Sequence, residues 1–82
     1  MSHGPPPGRE LRVTPRQGQI LDLALRGLTD KEIAAELGIA VSTIRSHLER
    51  LYRENGLRNK SEAVAVWQHY RDTARQDERR NQ

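Results

Sequence analysis

The length, composition and charge of the chain indicate one small domain of 82 residues, with a net charge of +3 and a pI near 10.0. Cysteine is absent, which excludes disulfides and thiolate metal sites, and no apolar run approaches the roughly 20 residues of a membrane span. We therefore expect a soluble, cytoplasmic protein with no cofactor and no membrane partner. The excess of arginine over lysine favours a polyanionic partner without establishing one.

The first ten residues contain the run GPPPGRE, which has too little apolar surface to form a packed structure. Residues 1–10 are predicted to be a disordered tail or the remnant of a linker from a longer protein, and the sequence leaves both readings open. The folded domain is predicted to span residues 11–71, because the apolar residues recur at regular spacing only there.

A clear start signal predicts the first helix. Thr14 is a candidate N-cap, Pro15 suits the first helical position, and Gln17 stands where a capping-box partner belongs. Gly27 is expected to end this helix just beyond its C-cap. Leu23 is predicted to lie at the margin of the apolar face of this helix, which consists of Ile20, Leu21, Ala24 and Leu25.

The next two helices form the centre of the predicted fold. Thr29 and Glu32 make a second capping-box pattern, so a second helix is predicted to start there and to end at Gly38. A third helix is predicted over residues 41–55, where apolar residues recur at three- and four-residue spacing before Gly56. Two helices joined by a tight glycine turn, the second with a polar and basic outer face, are typical of a helix-turn-helix.

A fourth helix is predicted after Asn59, whose spacing to Glu62 again matches a capping pattern. Trp67 and Tyr70 share one stripe of this helix and are predicted to be core or dimer contacts rather than base-stacking platforms. Residues 72–82 are nearly all polar and form either a tail or a frayed helix end. Because no strand candidate is present, the predicted fold class is all-α, a four-helix bundle that contains a helix-turn-helix.

The polar side of the third helix is the candidate binding surface, since its side chains can meet base edges in a DNA major groove. Arg45 is the strongest candidate for reading a base, as a bidentate partner of guanine. Glu49 is ambivalent, because a carboxylate accepts from cytosine but repels phosphates. From periodicity alone, the same surface fits an ordinary solvated helix face equally well. The polar side consists of Ser42, Arg45, Ser46, Glu49, Arg50 and Arg53.

Seven short blocks occur in a characteristic order: TPR at 14–16, IL at 20–21, GLT at 27–29, KEIA at 31–34, LGI at 37–39, STIRSH at 42–47 and NKSEAV at 59–64. Together they resemble the LuxR-type DNA-binding domain of FixJ- and NarL-like response regulators, over about residues 11–70. The resemblance implies a transcription regulator whose third helix enters the major groove of double-stranded DNA and whose fourth helix forms a homodimer. It also implies a location at the bacterial nucleoid, with RNA polymerase as a further candidate partner.

The resemblance further implies roles for individual residues. Arg45 matches the basic residue of the family's V-K-x-H motif, His47 matches its histidine, and Thr43 matches a threonine that contacts the DNA backbone. Three positions match polar or basic residues that lie near phosphates in the family: Lys31, Arg58 and Lys60. The positions that match the family's dimer face are Val64, Trp67, Gln68 and Arg71.

The sequence departs from the family pattern at several positions along these helices. Gln17 replaces a glutamate, Ala40 replaces the serine that caps the third helix, and Glu54 replaces a lysine. Glu49 is an acid on the side predicted to face DNA. Asn55 replaces an apolar residue, so it is expected either to weaken the packing or to provide a polar cap. These changes affect the expected affinity and site preference more than the fold.

Other functions and architectures can be weighed against this one. A protein-interaction module, modulating another regulator or RNA polymerase without reading DNA, is an alternative suggested by Ala40, Glu49 and Glu54. The promoter-reading domain of a sigma factor shares the helix-turn-helix, but the blocks at 31–34 and 59–64 favour the LuxR type. No enzyme activity and no catalytic residue is expected, because no serine and histidine pair has an orienting acid. The histidines are too far apart in sequence to form a metal site: His3, His47 and His69.

Overall fold

The computed structural model describes the backbone of residues 11–80 and the side chains of residues 11–74. The predicted tail at 1–10 and the last two residues of the predicted tail or frayed helix end at 72–82 therefore lie outside the described residues. Four α-helices follow one another: α1 (Pro15–Leu25), α2 (Asp30–Leu37), α3 (Val41–Asn55) and α4 (Lys60–Arg80). Residues 11–80 contain no strand, which confirms the all-α prediction. None of the described helices combines the length and the apolar character needed to cross a membrane.

Both predicted capping boxes are present at the starts of α1 and α2. The Thr14 hydroxyl accepts from the Gln17 backbone N–H at 3.1 Å, and the Gln17 side chain accepts from the Thr14 N–H at 2.9 Å. Thr29 and Glu32 make the same reciprocal pair at 3.2 and 2.8 Å. Each pair satisfies two backbone donors that a helix start leaves without partners, so the first two helices begin where local sequence dictates.

Glycines in the left-handed conformation end the two helices of the helix-turn-helix. Gly38 has φ of 71° after α2, and Gly56 has φ of 66° after α3. This conformation costs side-chain-bearing residues energy that glycine avoids. The chain can therefore turn from α2 into α3 with Ile39 and Ala40 as the remaining connection.

The start of α4 differs from the predicted capping box. The Asn59 side chain accepts from the Glu62 N–H at 2.9 Å, as expected for an N-cap. The Glu62 carboxylate, however, accepts from the N–H of Arg58 at 2.6 Å and not from that of Asn59. The box is therefore half formed, because the carboxylate reaches one residue further back. The backbone then stays helical past Arg71 to the end of α4.

All four helices contribute to one core, and α3 supplies the largest share of it. Leu25 is half-buried but does not pack against this core, contrary to the predicted apolar face of α1; Leu23 does so instead. The end of α1 is closed by backbone bonds, among them one from the Leu28 N–H to the Leu23 carbonyl at 3.2 Å. The buried core consists of Ile20, Leu21, Ile33, Ala34, Ile44, Leu48, Leu51 and Ala63.

Candidate nucleic-acid interface

The candidate interface is the outer side of α3, which the core fixes from behind. Ile44 and Leu51 are fully buried and Leu48 is nearly so, which orients the helix about its axis. The opposite side presents only polar side chains to solvent, without a large hydrophobe. The exposed residues on it are Ser42, Thr43, Arg45, Ser46, Glu49, Arg50 and Arg53. The structure thus brings together seven of the residues that the sequence predicted as DNA contacts.

The middle of α3 is braced by α1 through a buried amide. Gln17 is 1% exposed, and its side-chain N–H donates to the backbone carbonyl of His47 at 3.2 Å. The glutamate usual in the family has no N–H to donate when ionised, so this contact follows from the substitution noted in the sequence. The His47 side chain is half-buried beside the exposed face. Sequence analysis identified Gln17 as a cap but missed this second role.

The first turn of α3 has no side-chain cap. Ala40 adopts the extended backbone of an N-cap, with φ of −74° and ψ of 152°, but makes no side-chain hydrogen bond. Its carbonyl accepts from the N–H groups of both Thr43 and Ile44, at 3.0 and 3.1 Å. The helix nevertheless begins at Val41, where the sequence placed it. The missing cap therefore lowers the stability of this end without displacing it.

Acidic side chains reduce the positive charge on the outer side of α3. Arg50 and Glu54 form an ion pair of 3.0 Å one helical turn apart. The two side chains are 62% and 37% exposed, so the pair contributes little to stability. Glu49 is exposed on the same side, so this surface combines three arginines with two carboxylates.

Of the three flanking basic residues predicted near phosphates, one already bonds to other groups of the same chain. The Lys60 ammonium donates to the Asp30 carboxylate at 2.9 Å and to the Leu28 carbonyl at 3.4 Å. It ties the start of α4 to the start of α2, and its side chain is 34% exposed. Lys31 and Arg58 are exposed, as their predicted role requires.

Tyr52 lies on α3 between the core and these charged groups. Burial raises the pKa of its hydroxyl above the usual range, and the negative charges of Asp30 and Glu49 raise that pKa further. The phenol therefore stays protonated and neutral at physiological pH. It packs partly against the core and adds no charge to the candidate interface.

Two of the four predicted dimer residues of α4 already make polar contacts within the same chain. Trp67 packs so close to Gly18 that a Cβ there would lie 3.6 Å from the indole. The Trp67 N–H donates to Asp22 at 2.9 Å, and the same carboxylate oxygen accepts from Arg71. Both residues thus anchor α4 on α1, a role that sequence analysis missed. Of the other two predicted residues, Val64 is half-buried and Gln68 is exposed.

At the far end of α3, Asn55 holds the segment that precedes α1. It is 6% exposed, and its carbonyl oxygen accepts from the Arg12 N–H at 2.8 Å. Its amide donates to the Arg12 carbonyl at 2.8 Å and to the Leu51 carbonyl at 2.9 Å. Asn55 thus makes polar contacts as the sequence suggested, but its principal partner lies 43 residues away and is not the end of its own helix, which Gly56 caps.

Comparison with known proteins agrees with this arrangement. The family described as "Bacterial regulatory proteins, luxR family" matches residues 12–67. The response regulator Rre1 of Synechocystis sp. is 37% identical over 62 residues, which are 76% of this chain and 27% of that protein. The HTH-type transcriptional regulator MalT of Serratia proteamaculans is 38% identical over 52 residues, which are 63% of this chain and 6% of that protein. The chain belongs to the luxR family of bacterial regulatory proteins, whose shared module is a helix-turn-helix DNA-binding domain.

Proposed function

We propose that the chain binds double-stranded DNA at specific sequences and regulates transcription, with α3 lying in the major groove. The observation that carries this proposal is the outer side of α3, where exposed arginine, serine and threonine side chains are fixed in orientation by a buried core. A helix is about 10–12 Å across and the groove is about 12 Å wide, so this side can reach base edges. Family membership supports the same function.

Arg45 is the proposed base-reading residue, through two parallel hydrogen bonds to guanine. Ser42 and Ser46 flank it on the exposed side and are short enough to let the helix backbone approach the bases. Glu49 accepts a hydrogen bond from a cytosine amine where the DNA site has a cytosine at that position. Elsewhere its carboxylate repels neighbouring phosphates. The proposed backbone contacts are Lys31, Thr43, His47, Arg50, Arg53, Arg58 and Lys60, with Lys60 exchanging its bond to Asp30 for a phosphate.

We also propose that two copies bind DNA together through α4, as expected for half-sites related by symmetry. Gln68 and Val64 are the proposed centre of that contact, because Trp67 and Arg71 are already engaged with Asp22 of the same chain. RNA polymerase is a proposed further partner, and the bacterial nucleoid is the proposed location. These proposals draw on the family and not on a partner chain in the structure.

The test of the proposed function compares two duplexes as salt rises. One is selected from a random-sequence pool by the wild-type chain, and the other has the same length and base composition in scrambled order. We expect tighter binding to the selected duplex throughout, and a loss of affinity for both between about 50 and 200 mM salt as counterions are released. Equal affinity for the two duplexes at every salt concentration contradicts sequence-specific recognition.

A protein-interaction module is the second candidate function, favoured by the acidic residues on α3. Glu49 and Glu54 offset two of the three arginine charges on the outer side, which leaves it with a net charge of +1. A surface of mixed charge suits a protein partner better than a purely basic one does. This candidate predicts that Arg45→Ala leaves partner binding unchanged, whereas the DNA-binding proposal predicts a loss of duplex discrimination.

A further inference from the structure

The segment before α1 is attached to the end of α3, and α1 itself is attached to the middle of α3. Arg12 is held at the last turn of α3 by the Asn55 side chain, through hydrogen bonds of 2.8 Å to its N–H and to its carbonyl. Five residues later, Gln17 is bonded to the His47 carbonyl in the middle of α3. The backbone of Arg12 is therefore fixed relative to the candidate interface, although Arg12 lies 43 positions away from Asn55 in sequence.

The side chains of this segment alternate in exposure. Leu11 and Val13 are half-buried, and Val13 packs against the core, whereas Arg12 between them is exposed. Because Leu11 and Val13 are half-buried on either side of an exposed Arg12, the Arg12 side chain lies on the solvent side of this segment. Among residues 11–74, no carboxylate lies within ion-pair distance of that guanidinium.

We propose that Arg12 is an additional phosphate-contacting residue of the DNA interface and that Asn55 positions it; this inference rests on the proposed function. A helix that fills the major groove has a phosphate backbone along each flank, because groove and helix have nearly the same width. Asn55 lies on the core side of α3, and because the helix, about 10–12 Å across, is wider than the groove is deep, about 8.5 Å, that side stands near the level of the phosphates at the edge of the groove. Arginine suits that place, since its planar group bonds phosphate oxygens in pairs.

Asn55 is a positioning residue in this proposal, because it touches the Arg12 backbone and not the DNA. Its side chain offers one acceptor and two donor hydrogens, which match the Arg12 N–H, the Arg12 carbonyl and the Leu51 carbonyl. A leucine of similar size can fill the space but can make none of these bonds. Asn55→Leu is therefore expected to release the segment while keeping the helix packed.

The test measures how duplex affinity depends on salt for Arg12→Gln, Arg12→Lys, Asn55→Leu and a control, Arg26→Gln. Arg26 is exposed at the other end of α1, roughly 14 Å along the helix from Gln17, and carries the same charge. We expect Arg12→Gln to lower the slope of log affinity against log salt by about 0.9, equally for selected and scrambled duplexes. Arg12→Lys should keep the slope, and Asn55→Leu should lower it although Arg12 remains.

The outcomes separate this inference from the proposed function. If the wild-type chain binds the selected duplex but Arg12→Gln has the same slope as Arg26→Gln, the inference is wrong and the proposed function stands. If Asn55→Leu keeps the wild-type slope while Arg12→Gln loses it, Arg12 contacts phosphate without needing Asn55, and the positioning role is wrong. If the wild-type chain binds neither duplex, both proposals fail.

Discussion

Two buried amide side chains attach α3 to the chain that comes before the helix-turn-helix. Gln17 and Asn55 are the buried polar residues among those described. The amide N–H of Gln17 donates to the backbone carbonyl of His47, and that of Asn55 donates to the backbone carbonyl of Arg12. Because the two amide side chains are themselves buried, these bonds also prevent the cost of leaving their polar atoms without partners. The orientation of the candidate interface therefore depends on side chains that do not belong to it.

Gln17→Leu is expected to lower the free energy of unfolding by about 2 kcal/mol, because it removes the additional bond from α1 to the His47 carbonyl and half of the capping box. Urea unfolding followed by circular dichroism measures this change. Gln19→Leu is the matched control, since Gln19 is exposed on the same helix and should change stability by less than about 0.5 kcal/mol. Equal losses in the two variants would show that the buried amide does not support α3.

The contrast between local and distant partners explains which residue roles were predictable. Gln17 could be assigned as a cap because its partner Thr14 lies three residues away and the pattern is local. Its bond to His47 spans 30 residues, and the bond from Arg12 to Asn55 spans 43, so both depend on how the helices pack. Periodicity places Asn55 on the buried side but does not identify its partner.

At the scale of the element, α3 is fixed by packing along its core side, whereas its N-terminal end has no side-chain cap. Its boundaries and its two sides were predictable, because the apolar spacing and the glycines at either end are local signals. The capping of α4 was only partly predictable, since the choice of Glu62 between the N–H groups of Arg58 and Asn59 depends on the conformation of the preceding turn. The pairing of Arg50 with Glu54 follows directly from their spacing on the helix.

Ala40→Ser is expected to raise the free energy of unfolding by about 1 kcal/mol. Ala40 already has the backbone conformation of an N-cap, so a serine hydroxyl can accept from the N–H groups of the first turn without rearrangement. Chemical unfolding of the two proteins under the same conditions measures the difference. Ala35→Ser, at an exposed position inside α2, is the control and should give no gain. A stability no higher than that of the control would mean that the start of α3 does not need a cap.

At the scale of the whole molecule, α4 is placed by contacts that bind it to α1 and α2. The Trp67 indole on Gly18, its bond to Asp22 and the ion pair of Lys60 with Asp30 fix the direction in which α4 leaves the bundle. The existence of α4 was predictable, whereas these contacts were not, since each joins residues that are 30 or more positions apart. Because Trp67 and Arg71 are already bonded to Asp22, the proposed dimer contact of α4 is limited to its remaining exposed side.

Gln68→Glu is expected to weaken cooperative binding to a duplex with two half-sites by about tenfold, since a symmetric contact brings the two new carboxylates together. Binding to a single half-site should be unchanged, because Gln68 lies outside the proposed DNA contacts. His69→Glu is the matched control, as it adds the same charge at the next exposed position of α4. Gel-shift titrations on the two duplexes measure both quantities. Equal cooperativity in both variants would place the dimer contact elsewhere.

The central claim is that the outer side of α3 reads DNA sequence, and Arg45→Ala tests it most directly. The measurement is the ratio of affinities for the selected and scrambled duplexes, compared with the same ratio for Arg26→Ala, which removes an exposed charge at the end of α1. We predict that Arg45→Ala reduces this discrimination by about 1–3 kcal/mol, while Arg26→Ala leaves it unchanged. An unchanged ratio in Arg45→Ala would contradict the assignment of α3 as the element that reads the sequence.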